Sequence, residues 1–225
     1  MFDKGNKILI LIPSYNAAEH LAELVDRIKK ATTGADIVVI NDGSTDCTET
    51  VLKNLVVSYL TYPINRGKGY ALQQGIAYAI QNGYEYVMTI DADLQHLPEE
   101  IPNFIKGRRE ADIYMGTRDL RSALMPVERR LTNYLTSLIV SIFSGRRIRD
   151  SQSGYRMIST DILRRLRVSS VRYDFESELL FQAGVLKAKI VEVPISTIYE
   201  NARSYINPLV DTGRFIRLIW RRILL

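Results

Sequence analysis

The strongest constraint on the fold is an alternation in the first 120 residues, where short apolar runs of strand length are separated by segments of helical periodicity. Strands that are apolar throughout are typical of a parallel sheet covered by helices on both faces. The predicted strands are residues 7–12, 36–40, 56–62, 86–90 and 112–115, and the predicted helices are 18–30, 46–55, 69–81 and 98–108. The pattern therefore predicts an α/β fold with a mostly parallel, Rossmann-like sheet.

The second half of the chain is less regular. Its periodicity predicts helices over residues 126–144, 159–166, 175–187 and from 208 to the end, with one strand over 190–195. We find no repeat and no glycine- or serine-rich linker. The simplest organisation is one domain, residues 7–200, followed by a basic amphipathic helix within residues 201–225.

Polar clusters follow four consecutive predicted strands, and in a parallel sheet ligands bind at that end of the strands. The clusters are Pro13-Ser14-Tyr15-Asn16, Asn41-Asp42-Gly43-Ser44, Asn65-Arg66-Gly67-Lys68-Gly69 and Asp91-Ala92-Asp93-Leu94-Gln95. Each alone has a structural explanation; the sequence around Asp42 is equally good turn chemistry. Four together predict a ligand site along one rim of the sheet.

Asp91 and Asp93 are the sharpest pair on this rim. A strand projects alternate residues to one side, so their two carboxylates can converge on one ion. Oxygen ligands suit Mg²⁺ or Mn²⁺, which complete their shell with substrate phosphates and stabilise a departing nucleoside diphosphate. Lys68, in a glycine-flanked loop that opens a helix, would add positive charge for the same phosphates. The short Gly-x-Gly around it matches neither a dinucleotide-binding nor a Walker sequence.

The formal net charge of +5 points to an anionic partner, such as phosphorylated small molecules, an acidic membrane surface or nucleic acid. Arginines that interleave with aliphatic residues do not form an aromatic stacking platform, so nucleic acid is not expected. The single cysteine, Cys47, excludes a disulfide framework and favours a reducing cytoplasm. No uncharged apolar stretch reaches the roughly 20 residues that span a bilayer, and the first residues do not read as a signal peptide.

Two amphipathic segments lie in the second half. Residues 131–144 are uncharged, carry apolar side chains at helical spacing and are flanked by arginines; in the last helix Trp220 and its apolar neighbours oppose Arg214, Arg217 and Arg221. Such a pattern is typical of a helix lying on an anionic membrane. Core packing or a partner interface explains either helix alone equally well.

Taken in order, the segments PSYNAAEHL, VVINDGSTDCT, NRGKGYALQQGI, DADLQHLPEEI, GTR and SGYR closely resemble family 2 glycosyltransferases with the GT-A fold. The resemblance covers residues 7 to 200 and is strongest to the dolichyl- and polyprenyl-phosphate mannose or glucose synthases. It implies inverting transfer of a hexose from a GDP-mannose or UDP-glucose type donor to a polyprenyl phosphate, with Mg²⁺ or Mn²⁺, at the cytoplasmic face of a membrane.

The resemblance also implies roles for individual residues. Donor binding would involve Pro13, Tyr15, Asn16, Asp42, Lys68, Asp91 and Ala92; the metal would be held by Asp91, Asp93 and Gln95; the acceptor phosphate would meet Arg118, Arg130 and Arg203. The chain departs from many relatives at Ala17, where they have glutamate, and at Asn41, where they have aspartate. Both positions belong to the nucleotide pocket, so the base stays open.

Asp150 is the remaining catalytic candidate beside Asp93 and Arg118. It would be the general base for a hydroxyl acceptor, a positioning group for a phosphate acceptor, or a partner of neighbouring Arg147 or Arg149. Three functions follow: the polyprenyl-phosphate transferase, a family 2 transferase with a hydroxyl acceptor in polysaccharide or glycolipid synthesis, and an inactive nucleotide-sugar-binding protein. A homo-oligomer or a membrane-protein partner also stays open.

Overall fold

The computed structural model describes residues 7–119 and 127–198, together with four helical positions, Gly213, Arg217, Ile219 and Trp220. Seven strands form one sheet in the order β3-β2-β1-β4-β6-β5-β7. The strands are β1 Ile8–Ser14, β2 Ala35–Asp42, β3 Ser58–Tyr62, β4 Tyr86–Thr89, β5 Ile113–Arg118, β6 Arg156–Ser159 and β7 Ile190–Ile195. The predicted α/β architecture with a mostly parallel sheet is confirmed.

Strand β6 is the exception to the parallel arrangement, and the sequence did not predict it. It pairs antiparallel with both β4 and β5, while all other neighbouring strands are parallel. Thr89, at the end of β4, lies opposite Arg156, at the start of β6. The loop that leads into β6 therefore reaches the same rim at which the parallel strands end.

Helices cover both faces of the sheet. They are α1 Leu21–Ala31, α2 Thr48–Asn54, α3 Lys68–Gln81, α4 Ile101–Lys106, α5 Val127–Ser144, α6 Thr160–Arg165 and α7 Phe175–Val185. Ile10 and Ile12 of β1 face a core shared with α1 and α4, while Leu9 and Leu11 face a second core shared with α3, α6 and α7. This alternation explains why the strand is apolar throughout.

Helix α5 has an inverted distribution of polar and apolar side chains. Its buried face carries Asn133, Ser137, Val140 and Ser144. Its outer face, 46–68% exposed, consists of Leu131, Tyr134, Leu135, Leu138 and Ile142. A helix that packs only on its own domain would place these apolar groups inside, so the core-packing explanation of this segment is wrong for the outer face.

No helix among the described residues is long and apolar enough to cross a membrane. The predicted C-terminal helix falls largely outside those residues. Of its positions, Arg217 and Trp220 are helical and exposed.

Candidate active site

The loops after β1 and β2 hold each other through Asn16. Its backbone nitrogen donates to Ser44 Oγ at 2.9 Å, and its Oδ1 accepts from Thr45 N at 2.8 Å. Asn16 has φ +51°, a conformation that asparagine tolerates better than most residues. Next to it Pro13 is buried and Tyr15 half-buried. Pro13, Tyr15 and Asn16 thus lie at the end of β1, on the rim of the sheet; their role in donor binding stays a prediction.

Asp42, at the end of β2, fastens the loop between β3 and α3. Its buried carboxylate accepts from Arg66 N at 3.0 and 3.1 Å and from Gly67 N at 2.6 Å. Gly67 has φ +107°, which disfavours a side chain. Asp42 therefore shapes the floor of the rim through backbone contacts.

The glycines on either side of Lys68 allow another part of the chain to approach closely. Tyr70 N donates to Val171 O at 3.0 Å, and a Cβ added to Gly69 would lie 2.7 Å from the Val171 carbonyl carbon. A Cβ on Gly67 would meet the side chain of Arg172 at 2.4 Å. These glycines let residues 171–172 pack on the start of α3, which brings the start of α7 towards Lys68.

Lys68 joins two carboxylates from distant parts of the chain. Its Nζ lies 2.7 Å from Asp91 Oδ1 and 2.9 Å from Glu176 Oε1. Burial acts to raise the pKa of Asp91, but the attraction and hydrogen bond of Lys68 outweigh it and the pKa is lowered. Burial likewise acts to lower the pKa of Lys68, and the two carboxylates raise it instead. Lys68 and Asp91 are therefore charged together at neutral pH.

Asp93 is exposed beside this cluster. Its carboxylate accepts from Gln95 N at 3.1 Å, and the Gln95 side-chain amide donates to its other oxygen. Although Asp93 keeps contact with solvent, desolvation of its carboxylate by the protein around it and the nearby charge of Asp91 raise its pKa. The structure thus places Asp91, Asp93 and Gln95 on one short turn, with Ala92 buried between the two aspartates.

Gly154, in the loop before β6, lies against Asp91 of the acidic pair formed by Asp91 and Asp93. A Cβ at this position would lie 2.7 Å from Asp91 Oδ2 and 2.9 Å from Lys68 Nζ. Arg156, which follows, is fully buried and donates to three backbone carbonyls, those of Ser151, Ser153 and Glu176. This arginine fixes the loop against α7.

Arg118, at the end of β5, is gripped by Asp150. Arg118 Nε lies 2.7 Å from Asp150 Oδ2 and Nη2 lies 2.8 Å from Oδ1, while the Arg118 backbone nitrogen also donates to Oδ2 at 3.1 Å. Asn133 Nδ2 donates to Oδ1 at 2.8 Å. Burial acts to raise the pKa of Asp150, but Arg118 and Asn133 hold it low.

One interpretation of the sequence expected Asp150 to pair with Arg147 or Arg149, and in the structure it does not. Arg149 Nε instead contacts Glu192 Oε2 at 3.2 Å. The β5–β6 pairing is the reason, because it brings the end of β5 beside the loop that precedes β6. Arg130 lies half-buried near the start of α5, and Arg203 lies outside the described residues.

The Glycosyl transferase family 2 model matches residues 9–168, which contain the described rim except residues 171–172 and α7. The chain belongs to this family. An undecaprenyl-phosphate mannosyltransferase of Micrococcus luteus is 29% identical over 85% of the chain and 84% of its own length. A UDP-N-acetylglucosamine–dolichyl-phosphate N-acetylglucosaminyltransferase of Methanococcus voltae is also 29% identical, over 85% of the chain and 86% of its own length.

Solved structures support the GT-A fold of this family 2 glycosyltransferase. Glucosyl-3-phosphoglycerate synthase from Mycobacterium tuberculosis, crystallised with Mn²⁺, UDP and glucosyl-3-phosphoglycerate, superposes with a TM-score of 0.76. The match covers 97% of this chain and 80% of that one, at 19% identity. At this identity the similarity establishes the fold alone.

The donor atoms at the acidic pair fit a hard divalent cation. Carboxylates of Asp91 and Asp93 and the amide of Gln95 offer oxygen, the ligand that Mg²⁺ and Mn²⁺ prefer. Across the described residues no cluster of three or more histidine, cysteine, aspartate or glutamate side chains forms a closed metal cage. Such an ion would therefore need oxygen ligands from water and substrate to complete its shell.

Three residues of the site were not singled out from the sequence: Glu176, Asn133 and Gly154. Gly154 stands in the SGYR segment, so a signal was present, although no role followed from it. Glu176 and Asn133 lie in helices, and their sequence neighbours gave no sign of the distant groups that they contact.

His96 is buried against the ring of Tyr155, and burial lowers its pKa to about 4, so it is neutral at physiological pH.

Proposed function

We propose that this family 2 glycosyltransferase is a metal-dependent, inverting enzyme that moves a hexose from a nucleotide-sugar of the GDP-mannose or UDP-glucose type to a polyprenyl or dolichyl phosphate. The observation that carries the proposal is the set of hydrogen bonds that the Asp150 carboxylate accepts. All of its acceptor positions face Arg118 or Asn133, so it holds a cation at the rim and has no position left for a hydroxyl proton.

The donor half is supported by the arrangement of charges. Pro13, Tyr15 and Asn16 would border the nucleoside, over a floor shaped by Asp42. Asp91 and Asp93, with Gln95, would hold Mg²⁺ or Mn²⁺, which would neutralise the charge that develops on the departing diphosphate.

Lys68 would orient Asp91 in this site. Its ammonium contacts both carboxylate oxygens, at 2.7 and 3.0 Å, and so restricts the rotation of that carboxylate. Glu176 Oε2 is buried and has no hydrogen-bond partner in the described part of the chain. Because this buried oxygen next to Lys68 is unsatisfied, it would accept a hydrogen bond from a hydroxyl group of the nucleotide-sugar.

The acceptor half follows from the chemistry of the nucleophile. A hydroxyl group must lose a proton as it attacks and needs a base within hydrogen-bond reach. A phosphate monoester is already an anion and needs cations and orientation instead. Arg118, held at the rim by Asp150, is suited to bind such an anion, and Arg130 and Arg203 are proposed to add to it.

The outer face of α5 supports an acceptor that resides in a membrane. An exposed apolar helix face flanked by arginines fits the boundary between headgroups and acyl chains of an anionic bilayer. We therefore place the enzyme at the cytoplasmic face of a membrane, with the C-terminal basic helix as a second contact. Relatives named for undecaprenyl phosphate and dolichyl phosphate support the lipid acceptor in this proposal.

The test is a transfer assay with GDP-mannose, UDP-glucose and UDP-N-acetylglucosamine, each with Mn²⁺ or Mg²⁺, and with either polyprenyl phosphate or the matching polyprenol. We expect lipid-linked sugar from the phosphate only, and loss of product with a chelator. Asp91→Asn should abolish transfer, whereas Asp161→Asn, at an exposed carboxylate of α6, should leave it unchanged. Transfer to polyprenol would favour the hydroxyl-acceptor alternative, and no turnover of any donor would favour an inactive binding protein.

A further inference from the structure

The buried face of α5 carries a short chain of polar side chains that ends at Asp150. Asn133 donates to Asp150 Oδ1, and Ser137 Oγ lies 2.9 Å from Asn133 Oδ1. Ser137 Oγ also accepts from Ser151 N at 2.9 Å. All four side chains are 3% exposed or less. Polar groups are costly to bury where Leu or Val would pack, unless they are hydrogen-bonded. Here the hydrogen bonds connect Ser137 through Asn133 to Asp150, which binds Arg118.

We propose that Asn133 is a positioning residue, which acts through Asp150 to orient Arg118 for the acceptor phosphate. The inference rests on the proposed acceptor. Asp150 holds the guanidinium by two roughly parallel bonds, 2.7 Å from Nε and 2.8 Å from Nη2. This geometry requires both carboxylate oxygens to lie in the plane of the guanidinium. Asn133 contacts the oxygen that meets Nη2, and so opposes rotation of the carboxylate out of that plane.

The position of Asn133 on α5 gives this contact a second consequence. The polar chain and the outer face lie on opposite sides of one helix. A displacement of α5 therefore moves the Asn133 amide and, through a single carboxylate, the guanidinium at the rim. The helix that is proposed to contact the membrane thereby sets the orientation of the cation that is proposed to meet the lipid phosphate.

The first experiment measures steady-state kinetics of Asn133→Leu, which keeps the number and branching of the side-chain heavy atoms and removes the amide. We expect the KM for a short-chain polyprenyl phosphate in detergent to rise about tenfold, as for loss of a hydrogen bond to a charged group. The affinity for the nucleotide-sugar, measured by calorimetry, should stay within twofold. The hydrogen-bond partners of the Asn133 side chain are Asp150 and Ser137, neither of which is proposed to bind the nucleotide-sugar. Ser137→Ala, a smaller change, should shift the acceptor KM in the same direction and serves if Asn133→Leu folds poorly.

A double-mutant cycle separates positioning from a general structural role. If Asn133 acts through Asp150, Asn133→Leu should have almost no further effect in an Asp150→Asn background. Ser141→Ala is the matched control, since Ser141 lies on the buried side of α5 and contacts Ile148 of the same loop; its effect should add to that of Asp150→Asn. Additive effects of Asn133→Leu, or an equal loss of donor affinity, would overturn the proposal. The cycle can be measured with whichever acceptor the wild type uses, so a polyprenol product would refute the proposed acceptor without deciding the role of Asn133.

Discussion

Substituting Gly154 by alanine tests whether the loop before β6 shapes the acidic pair. The new Cβ would lie 2.7 Å from Asp91 Oδ2, whereas ordinary contacts begin near 3.4 Å, so one of the two must move by about 0.7 Å. Lys68 Nζ, 2.9 Å from the same Cβ, blocks one direction of escape. Asp91 is therefore pushed away from its position beside Lys68.

The size of the effect follows from the tolerance of such a site. Mg²⁺ requires ligands near 2.1 Å in close to octahedral geometry, and a misplacement approaching 1 Å can cost about a hundredfold in rate. We expect kcat/KM of Gly154→Ala to fall about a hundredfold. We also expect calorimetry to show weaker binding of the Mn²⁺–nucleotide pair, with the KM for the lipid acceptor little changed.

Gly107→Ala is the matched control, because it is the same substitution at a helix end where φ is negative. The new Cβ would lie 3.3 Å from its nearest neighbour, a ring carbon of Tyr114. It should leave both nucleotide affinity and rate within twofold of the wild type. Unchanged Mn²⁺–nucleotide binding in a well-folded Gly154→Ala protein would refute the argument that this loop sets the position of Asp91.

Three further predictions follow. Lys68→Met leaves two carboxylates facing each other without their cation, and should reduce the free energy of unfolding by about 3 kcal/mol in urea titrations; an unchanged midpoint would contradict the ion cluster. Leu138→Glu, on the outer face of α5, should weaken co-sedimentation with anionic vesicles by ten- to a hundredfold and leave the melting temperature unchanged, because Leu138 is already 46% exposed. Arg118 lowers the pKa of Asp150 in the folded protein. The pair therefore stabilises the fold at pH values above the pKa of an unfolded aspartate, near 3.9. This stabilisation is lost as the pH falls towards the lower pKa of the folded state. Urea midpoints from pH 7 to 3 should therefore fall less steeply for Asp150→Asn than for the wild type, and parallel curves would contradict the pairing.

The parallel half of the sheet was predictable because β1, β2 and β4 carry buried apolar runs and each of β1 to β4 is followed by a polar cluster. Asp42, Asp91 and Asp93 were placed on one rim by topology alone, since parallel strands end together. Strand β6 was missed because its four residues begin with Arg156, whose side chain is buried by backbone carbonyls of distant segments. No local pattern distinguishes such an arginine from an exposed one.

Contacts between distant segments account for the rest of what the sequence did not predict. Lys68 was expected to meet phosphates. Glu176 lies 108 positions further along the chain, and the packing of residues 171–172 on the glycines helps to bring the two together. Asp150 was expected to pair with a neighbouring arginine or to act as a base. Its actual partner, Arg118, is adjacent only because β5 and β6 pair.

Helix α5 shows why amphipathic periodicity alone does not locate a membrane face. The spacing of Leu131, Leu135 and Leu138 predicts one apolar side but does not say whether that side points into the domain. The polar residues between them decide the orientation: Asn133 and Ser137 have buried partners in the loop before β6, so the helix must turn that side inwards. Once these hydrogen bonds form, the leucines face outwards. The same contacts that hold Asp150 against Arg118 therefore also expose the apolar face, so one helix would serve both the proposed acceptor phosphate and the proposed membrane contact.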